Sequence, residues 1–294
     1  MNLYLRSHLS TALRIYSHAM ADLITSAYCS TVVPNCANVN LQTLAAIISA
    51  VSVSVTRYCQ RDFIPTRLVE LYDSPNQPFL MLRQTPILAL NSVTLFPTGA
   101  DPIICSAEQF DLRPQVGRIS YKPQAAGLLE LPFLRGFGFR RINAIEVDYI
   151  AGFGFTTSSL AGFPSGVQNV TPAAMNAVSI NEPWAITVGA MLVMDPGTAV
   201  EETVTVSAVS ADSFSATFTQ AHDANAVICG VMIPDDIALA TALAVGNVLN
   251  APDLTKQRES QGKTIGYEYL VRMGDLIFTT EILNILNRYR DSVV

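Results

Sequence analysis

Leu41 to Phe63 reads LQTLAAIISAVSVSVTRYCQRDF, and two periods compete in it. Val51-Ser52-Val53-Ser54-Val55 alternates apolar and polar residues as a half-buried strand does. Leu44, Ile47, Ile48, Val51, Val55, Tyr58 and Cys59 recur instead at helical spacing. Length decides for the helix: Asn40 stands at the N-cap, and Gln42, Ser49, Ser52, Thr56 and Arg57 fill the opposite face. The β-branched residues cost helix propensity, so tertiary packing has to hold this segment. Arg57 to Phe63 forms a polar exit, and Pro65 enforces the stop. The rest of the chain is expected to pack on this helix or hang from it.

A chain of 294 residues is long for one domain and comfortable for two. Half of it is hydrophobic and only 14% is charged, a low share for a free monomer, which predicts a surface partly covered by other subunits. Ser, Thr, Gln and Asn interrupt every apolar run before it reaches the length of a membrane span, so none is expected. Met1 to Ala19 carries Arg6, His8, Arg14 and His18 without an apolar stretch, so a signal peptide is not expected either and synthesis in the cytoplasm is. The formal net charge of −6 argues against a broad grip on phosphate backbones.

The five cysteines (Cys29, Cys36, Cys59, Cys105, Cys229) make an odd set without a CxxC pair, and the three histidines (His8, His18, His222) lie far apart. Neither a metal site nor a disulfide framework is expected, and buried reduced thiols are.

Leu3 to Ser26 reads as a weakly amphipathic helix or arm. After the core helix the texture changes to short alternating strands at 68–72, 79–82, 88–96, 110–112, 117–121 and 144–149, separated by turn residues. Between them, PFLRGFGFRR at 132–141 sets Phe133, Phe137 and Phe139 and Arg135, Arg140 and Arg141 around two glycines. It is either a hairpin tip that touches a partner, since aromatic residues and Arg are enriched at interface cores, or a turn whose phenylalanines fold back.

From Gly152 to Gly230 Lys and Arg vanish and β-alternation strengthens, with strands at 185–194, 202–207 and 213–218. The flanks, Val147 to Gly152 and Ile233 to Ile237, look like one strand–helix junction pulled apart, so the stretch reads as an inserted all-β domain. A helix follows over Ile237 to Asn250, with Pro234 at its start, Asp235 and Asp236 at its positive end, and Ala238, Ala242 and Gly246 as a small-residue ridge. A last helix is expected through Ile277, Ile282, Leu283, Leu286 and Tyr289.

No catalytic constellation is found. In Gly162-Phe163-Pro164-Ser165-Gly166 the serine comes one place too late for a nucleophile elbow. Gly136-Phe137-Gly138 lacks the third glycine of a dinucleotide loop, and no phosphate-loop motif occurs. Glu201-Glu202 and Asp235-Asp236 have sufficient structural roles, and His222 reads as a surface or hydrogen-bonded side chain. A non-enzymatic protein without cofactors follows.

Four stretches in order carry a likeness. Thr56 to Phe63 (TRYCQRDF), Val147 to Phe153 (VDYIAGF), Ile233 to Ile237 (IPDDI), and Gly262 to Tyr267 (GKTIGY) running on to Leu286 to Arg290 (LNRYR) together resemble the head–tail connector, adaptor or head-completion, proteins of tailed bacteriophages. The likeness covers residues 20–152 and 232–290, about two thirds of the chain. It implies a virion structural protein of the neck, between capsid and tail. Subunits of that kind close on themselves in a homo-oligomeric ring, twelve-fold in the family, beneath the portal protein. The ring meets a downstream tail or stopper protein and lets DNA pass without sequence-specific binding.

In that family the C-terminal segment docks on the portal. Here it would be Gly274 to Arg290, with Ile282, Leu286, Arg288, Tyr289 and Arg290 as contacts. Phe133, Arg135, Phe137, Phe139, Tyr267 and Tyr269 are the candidates for contacts with neighbouring subunits or partners. The expected fold is α+β: a helical core with a small antiparallel sheet at 20–152 and 232–294, interrupted by the β-domain at 153–231 and preceded by an extension at 1–19. The alternatives are a β-rich binding module of the tail or baseplate, and a hydrolase around Ser165.

Overall fold

The computed structural model describes residues 22–73, 79–96, 101–122, 144–173, 186–210, 212–250 and 277–290. In chain order these form α1 (Ser26–Val32), α2 (Leu41–Cys59), β1 (Thr66–Tyr72), β2 (Phe79–Met81), β3 (Ile87–Leu95), β4 (Ile103–Ser106), β5 (Phe110–Arg113), β6 (Arg118–Tyr121) and β7 (Ile145–Ala151). There follow β8 (Gly154–Ser158), β9 (Gly166–Val170), β10 (Met191–Met194), β11 (Glu202–Val209), β12 (Phe214–Phe218), β13 (Val227–Val231), α3 (Asp235–Asn250) and α4 (Thr280–Leu286).

The helix at 41–59 forms as its pattern requires. The Asn40 side chain accepts the Gln42 N–H at 2.9 Å, and Gln60 ends the helix in the left-handed region at φ 53°. Leu44, Ile48, Val51, Val55 and Cys59 are buried, and so is Ser52, which the sequence places on the wet face. Its hydroxyl accepts the Leu23 N–H at 3.1 Å, which satisfies it there. Against this stripe α3 lays Ile237, Ala240, Ala244 and Val245, and α4 lays Ile282 and Leu286. A Cβ on Gly246 would stand 3.1 Å from Val33, so the missing side chain lets the turn after α1 close on α3.

An α+β fold with a helical core and one small sheet is overturned by the strand arrangement. The described residues are mostly β, in three antiparallel sheets of four, six and three strands. The helices bury their stripes on one another as a separate cluster, while the strands build cores of their own. β4, β8, β9 and β13 lie in stretches whose alternation is too short to stand out from loop sequence. The expected strand at 185–194 shrinks to β10 because Gly189 turns at φ 86°.

The four-stranded sheet has the order β1-β7-β3-β4, and the three-stranded sheet β2-β6-β5 packs on its inner face. Between them lie Leu68, Val93, Val147 and Tyr149 from the first sheet and Leu80, Phe110 and Ile119 from the second. Glu70 points into this layer and is satisfied there, because the hydroxyls of Tyr72 and Tyr149 both donate to its Oε2.

The six-stranded sheet runs β8-β13-β10-β11-β12-β9, and its ends meet. Ser159 bridges Pro172, the Leu160 N–H donates to Thr171 O at 2.9 Å, and the Ala173 N–H donates to Ser158 O at 2.6 Å. The sheet thus closes at this bridge into a small barrel, filled by Leu192, Met194, Val204, Val206, Phe214, Phe218 and Ile228. Its first and last residues, Gly154 and Val231, are register partners, so the segment read as an insertion leaves and rejoins the chain at one place. Ile150, Val193 and Cys229 seat it on the outer face of the four-stranded sheet.

The seam between β8 and β13 admits no side chain at Gly154. There φ is +155°, and a Cβ would lie 1.8 Å from the Gly230 carbonyl oxygen. Gly154→Ala is expected to cost about 3 kcal/mol or more in urea unfolding. Gly189→Ala, with a positive φ but nothing within 4 Å of its Cβ, should cost about 1 kcal/mol. Equal costs would show that the seam is not packed as described.

Candidate functional site

Aromatic residues mark the points where the chain passes between helices and strands, and they meet. Phe63, four residues beyond α2, stacks on Phe153 in the β7–β8 link with ring centroids 5.5 Å apart. Tyr289, beyond α4, stands 5.9 Å from each of them, edge-on to Phe153. The Tyr289 hydroxyl donates to Asp236 Oδ1 at the start of α3, at 2.7 Å. Burial and this carboxylate push the Tyr289 phenol up to about 12. Backbone bonds reinforce the knot: the Phe153 N–H donates to Phe63 O and the Met232 N–H to Phe153 O, each at 3.0 Å. Tyr58 extends it, its hydroxyl donating to Asn287 Oδ1 at 2.8 Å and its ring lying 5.7 Å from Phe278.

Arginines stand on the segments that carry this knot, and three act on its residues. The Arg290 guanidinium lies over the Tyr58 ring, 5.4 Å from its centroid. Burial pushes the Cys59 thiol up to about 11 against the opposing pull of Arg61 and Arg290, which places both cations near it. Arg57 and Arg288 are exposed on the same two segments. The result is a cationic rim around an aromatic knot, at the end of the helical cluster where the C-terminal segment runs out.

Of the five residues implied as portal contacts, Ile282 and Leu286 are 1% and 0% exposed and are spent on α2 and α3. Arg288 and Arg290 face outward, and Tyr289 is half-buried in the knot. Phe133, Arg135, Phe137, Phe139, Tyr267 and Tyr269 lie outside the described residues. Phe63, Phe153 and Asp236 stand in stretches that carry the likeness, Asp236 also as a helix-start carboxylate, but the sequence reading names none of them as a contact. The signal that marks them is positional: each stands at the boundary of an element, beside a turn.

His222 has a different setting. Its ring is fully buried, with Nδ1 2.8 Å from Asp195 Oδ2 and Nε2 2.8 Å from Glu202 Oε1. Glu202 also accepts the Thr219 N–H and hydroxyl at 2.7 and 2.6 Å and the Gln220 N–H at 3.1 Å, and Asp195 Oδ1 accepts the Val227 N–H at 2.7 Å. Burial would raise the Glu202 carboxyl, but the bonds from Thr219, His222 and Gln220 outweigh it and hold it below the usual range. With both ring nitrogens occupied, the imidazole has no free position to activate a nucleophile. Ser165 is exposed on a loop, where its carbonyl accepts from Gln168 Nε2 at 3.4 Å. The network ties the ends of β10, β11 and β12 to the start of β13.

Among the described residues no group of three or more His, Cys, Asp or Glu could hold a metal ion, and no helix is long and apolar enough to cross a membrane. The fold and the site define a β-rich protein with a helical cluster, a closed barrel and an arginine-rimmed aromatic knot. No protein-family model matches the chain, and no curated protein matches it.

Two outcomes follow. Tyr289→Phe removes only the bond to Asp236 and is expected to cost about 1 kcal/mol, whereas Tyr289→Ala opens the knot and should cost about 3 kcal/mol, both read from urea midpoints. For Glu202 the native carboxyl lies below its ordinary 4.5, so its contribution is complete above that pH and is lost as pH falls through the lowered native value. Stability measured from pH 7 to pH 3 should therefore fall less steeply in Glu202→Gln than in the natural chain, from a lower starting point; parallel curves would contradict the network.

Proposed function

We propose that the chain is a virion structural protein, a head-to-tail adaptor whose copies close into a ring joining the portal to the tail, through which DNA passes. One observation carries this reading. The four stretches that resemble connector proteins are far apart in sequence, yet Phe63, Phe153, Asp236 and Tyr289, one from each, meet in a single knot. A likeness scattered by chance has no reason to converge on one contact. In such a ring the interface is heterologous and closes by rotation. Arg288 and Arg290 supply outward-facing charge for docking on the portal, while Ile282 and Leu286 hold their helix in place. The ring belongs in the neck of the particle and works by shape and contact, without a cofactor.

A second reading, a β-rich binding module of the tail or baseplate, is favoured by the closed barrel with its own core. The two differ in assembly. Purified chain mixed with portal complexes is expected to co-sediment and to show rings by negative-stain electron microscopy. The Arg288→Glu, Arg290→Glu double variant should lose portal binding at least tenfold with a melting temperature lowered by no more than about 3 °C, since both residues are exposed and Arg290 gives up only its contact with the Tyr58 ring. Monomers that ignore portals at every concentration but bind a tail component would decide for the second reading.

A further inference from the structure

Cys29 in α1 and Cys36 in the short 3₁₀ turn Pro34–Asn38 are brought together with their sulfurs 2.9 Å apart. Neither shows any exposed surface. Their backbone is fixed by a run of short bonds: the Val33 N–H donates to Cys29 O at 2.8 Å, the Cys36 N–H to Val33 O at 3.0 Å and the Val39 N–H to Cys36 O at 3.2 Å. The other three thiols have no such partner. Cys59 Sγ faces Leu286 O at 3.7 Å, Cys105 Sγ faces the Tyr121 hydroxyl at 3.6 Å, and Cys229 lies among Ile150 and Val193. One pair out of five cysteines is thus aligned, in a fold whose sequence gave no pairing pattern.

We infer that Cys29 and Cys36 form an intramolecular disulfide when the protein meets an oxidising environment. A disulfide sets its sulfurs about 2.05 Å apart, so the bond needs an approach of only about 0.9 Å. The oxidant is a low-molecular-weight disulfide such as oxidised glutathione. One cysteine thiolate attacks it and displaces a small thiol; the second cysteine then displaces the other, so that two protein thiols and one small disulfide become one protein disulfide and two small thiols. Burial, and then the neighbouring Cys36, push the Cys29 thiol up to about 12, so the attacking thiolate is scarce while the site is closed. Oxidation therefore proceeds through brief opening of the seven-residue helix α1, and its rate reports that opening.

The cross-link would clamp a joint. Val33, between the two cysteines, seats against Gly246 of α3, and the Asn35 side chain donates to Asn250 Oδ1 at 2.8 Å. Closing this loop fixes α1 and the turn beneath the end of α3. A subunit made reduced and later exposed outside the cell would gain rigidity without any change of fold.

The tryptic peptide from Ile15 to Arg57 contains these two cysteines and no other, so the state of the pair is read in one fragment. The full chain, purified with reductant, is moved to oxidised glutathione at pH 8, quenched with acid, unfolded and alkylated. The expected result is three alkylated cysteines in place of five, with the 15–57 peptide unalkylated and lighter by about 2 Da than its reduced form. The melting temperature should rise by about 3–6 °C in the natural chain and stay unchanged in Cys36→Ser. Five alkylated cysteines, pairing with Cys59, Cys105 or Cys229, cross-linked dimers, or a bond that forms only in denaturant would each overturn the inference.

Discussion

The contact of Phe63, Phe153 and Tyr289 is the constraint on which the arrangement of parts depends. Each ring belongs to a segment that leaves one layer for another: Phe63 carries the chain from α2 towards β1, Phe153 from β7 into the barrel, and Tyr289 closes the last helix. Single crossings of this kind are loosely held, because a link has few hydrogen bonds to fix its direction. Three that meet fix one another, since moving any ring exposes the other two. The apolar stripes of α2 and α3 could bury one another at more than one rotation. The bond from Tyr289 to Asp236 selects one by pinning the start of α3 to the C-terminal segment.

The barrel depends on this knot only for its position. Its edges are closed by the Ser159–Pro172 bridge, its interior is filled, and its buried charged groups answer one another through His222. Because Gly154 and Val231 are paired, the remainder of the chain meets the barrel as though it were one long hairpin. That geometry lets α2 and α3 pack on each other without the barrel, while the four-stranded sheet meets it through Ile150, Val193 and Cys229.

The parts legible in the sequence were those with long periods. Nineteen residues of α2 and sixteen of α3 repeat their pattern often enough to outweigh local noise, and Asn40 caps α2 as its position predicts. β4, with four residues, and β8, β9 and β13, with five each, offer two or three alternations apiece, and their pairing comes from partners distant in sequence. The balance of the fold was therefore misjudged towards helix. Ser52 shows the same limit at the scale of one residue: a polar side chain belongs in a core when a backbone N–H arrives to meet it, and that donor, at Leu23, lies 29 residues away. At the candidate site the outward arginines were legible as charge. The knot beneath them was not, because no spacing rule links Phe63, Phe153 and Tyr289.

Charge is divided unevenly between the two parts, and this bears on how copies can be arranged. Six of the 24 acidic residues fall between residues 153 and 231, and none of the 18 basic ones does, which leaves 18 of each sign in the rest of the chain. The barrel segment thus carries the whole formal net charge of −6. In a ring, neighbouring barrels in direct contact would set like charges within a Debye length of about 8 Å at physiological salt. The neutral remainder bears no such penalty, and it holds the arginine rim. If copies assemble side by side as proposed, this division of charge favours contact through the sheets and helices over contact between barrels.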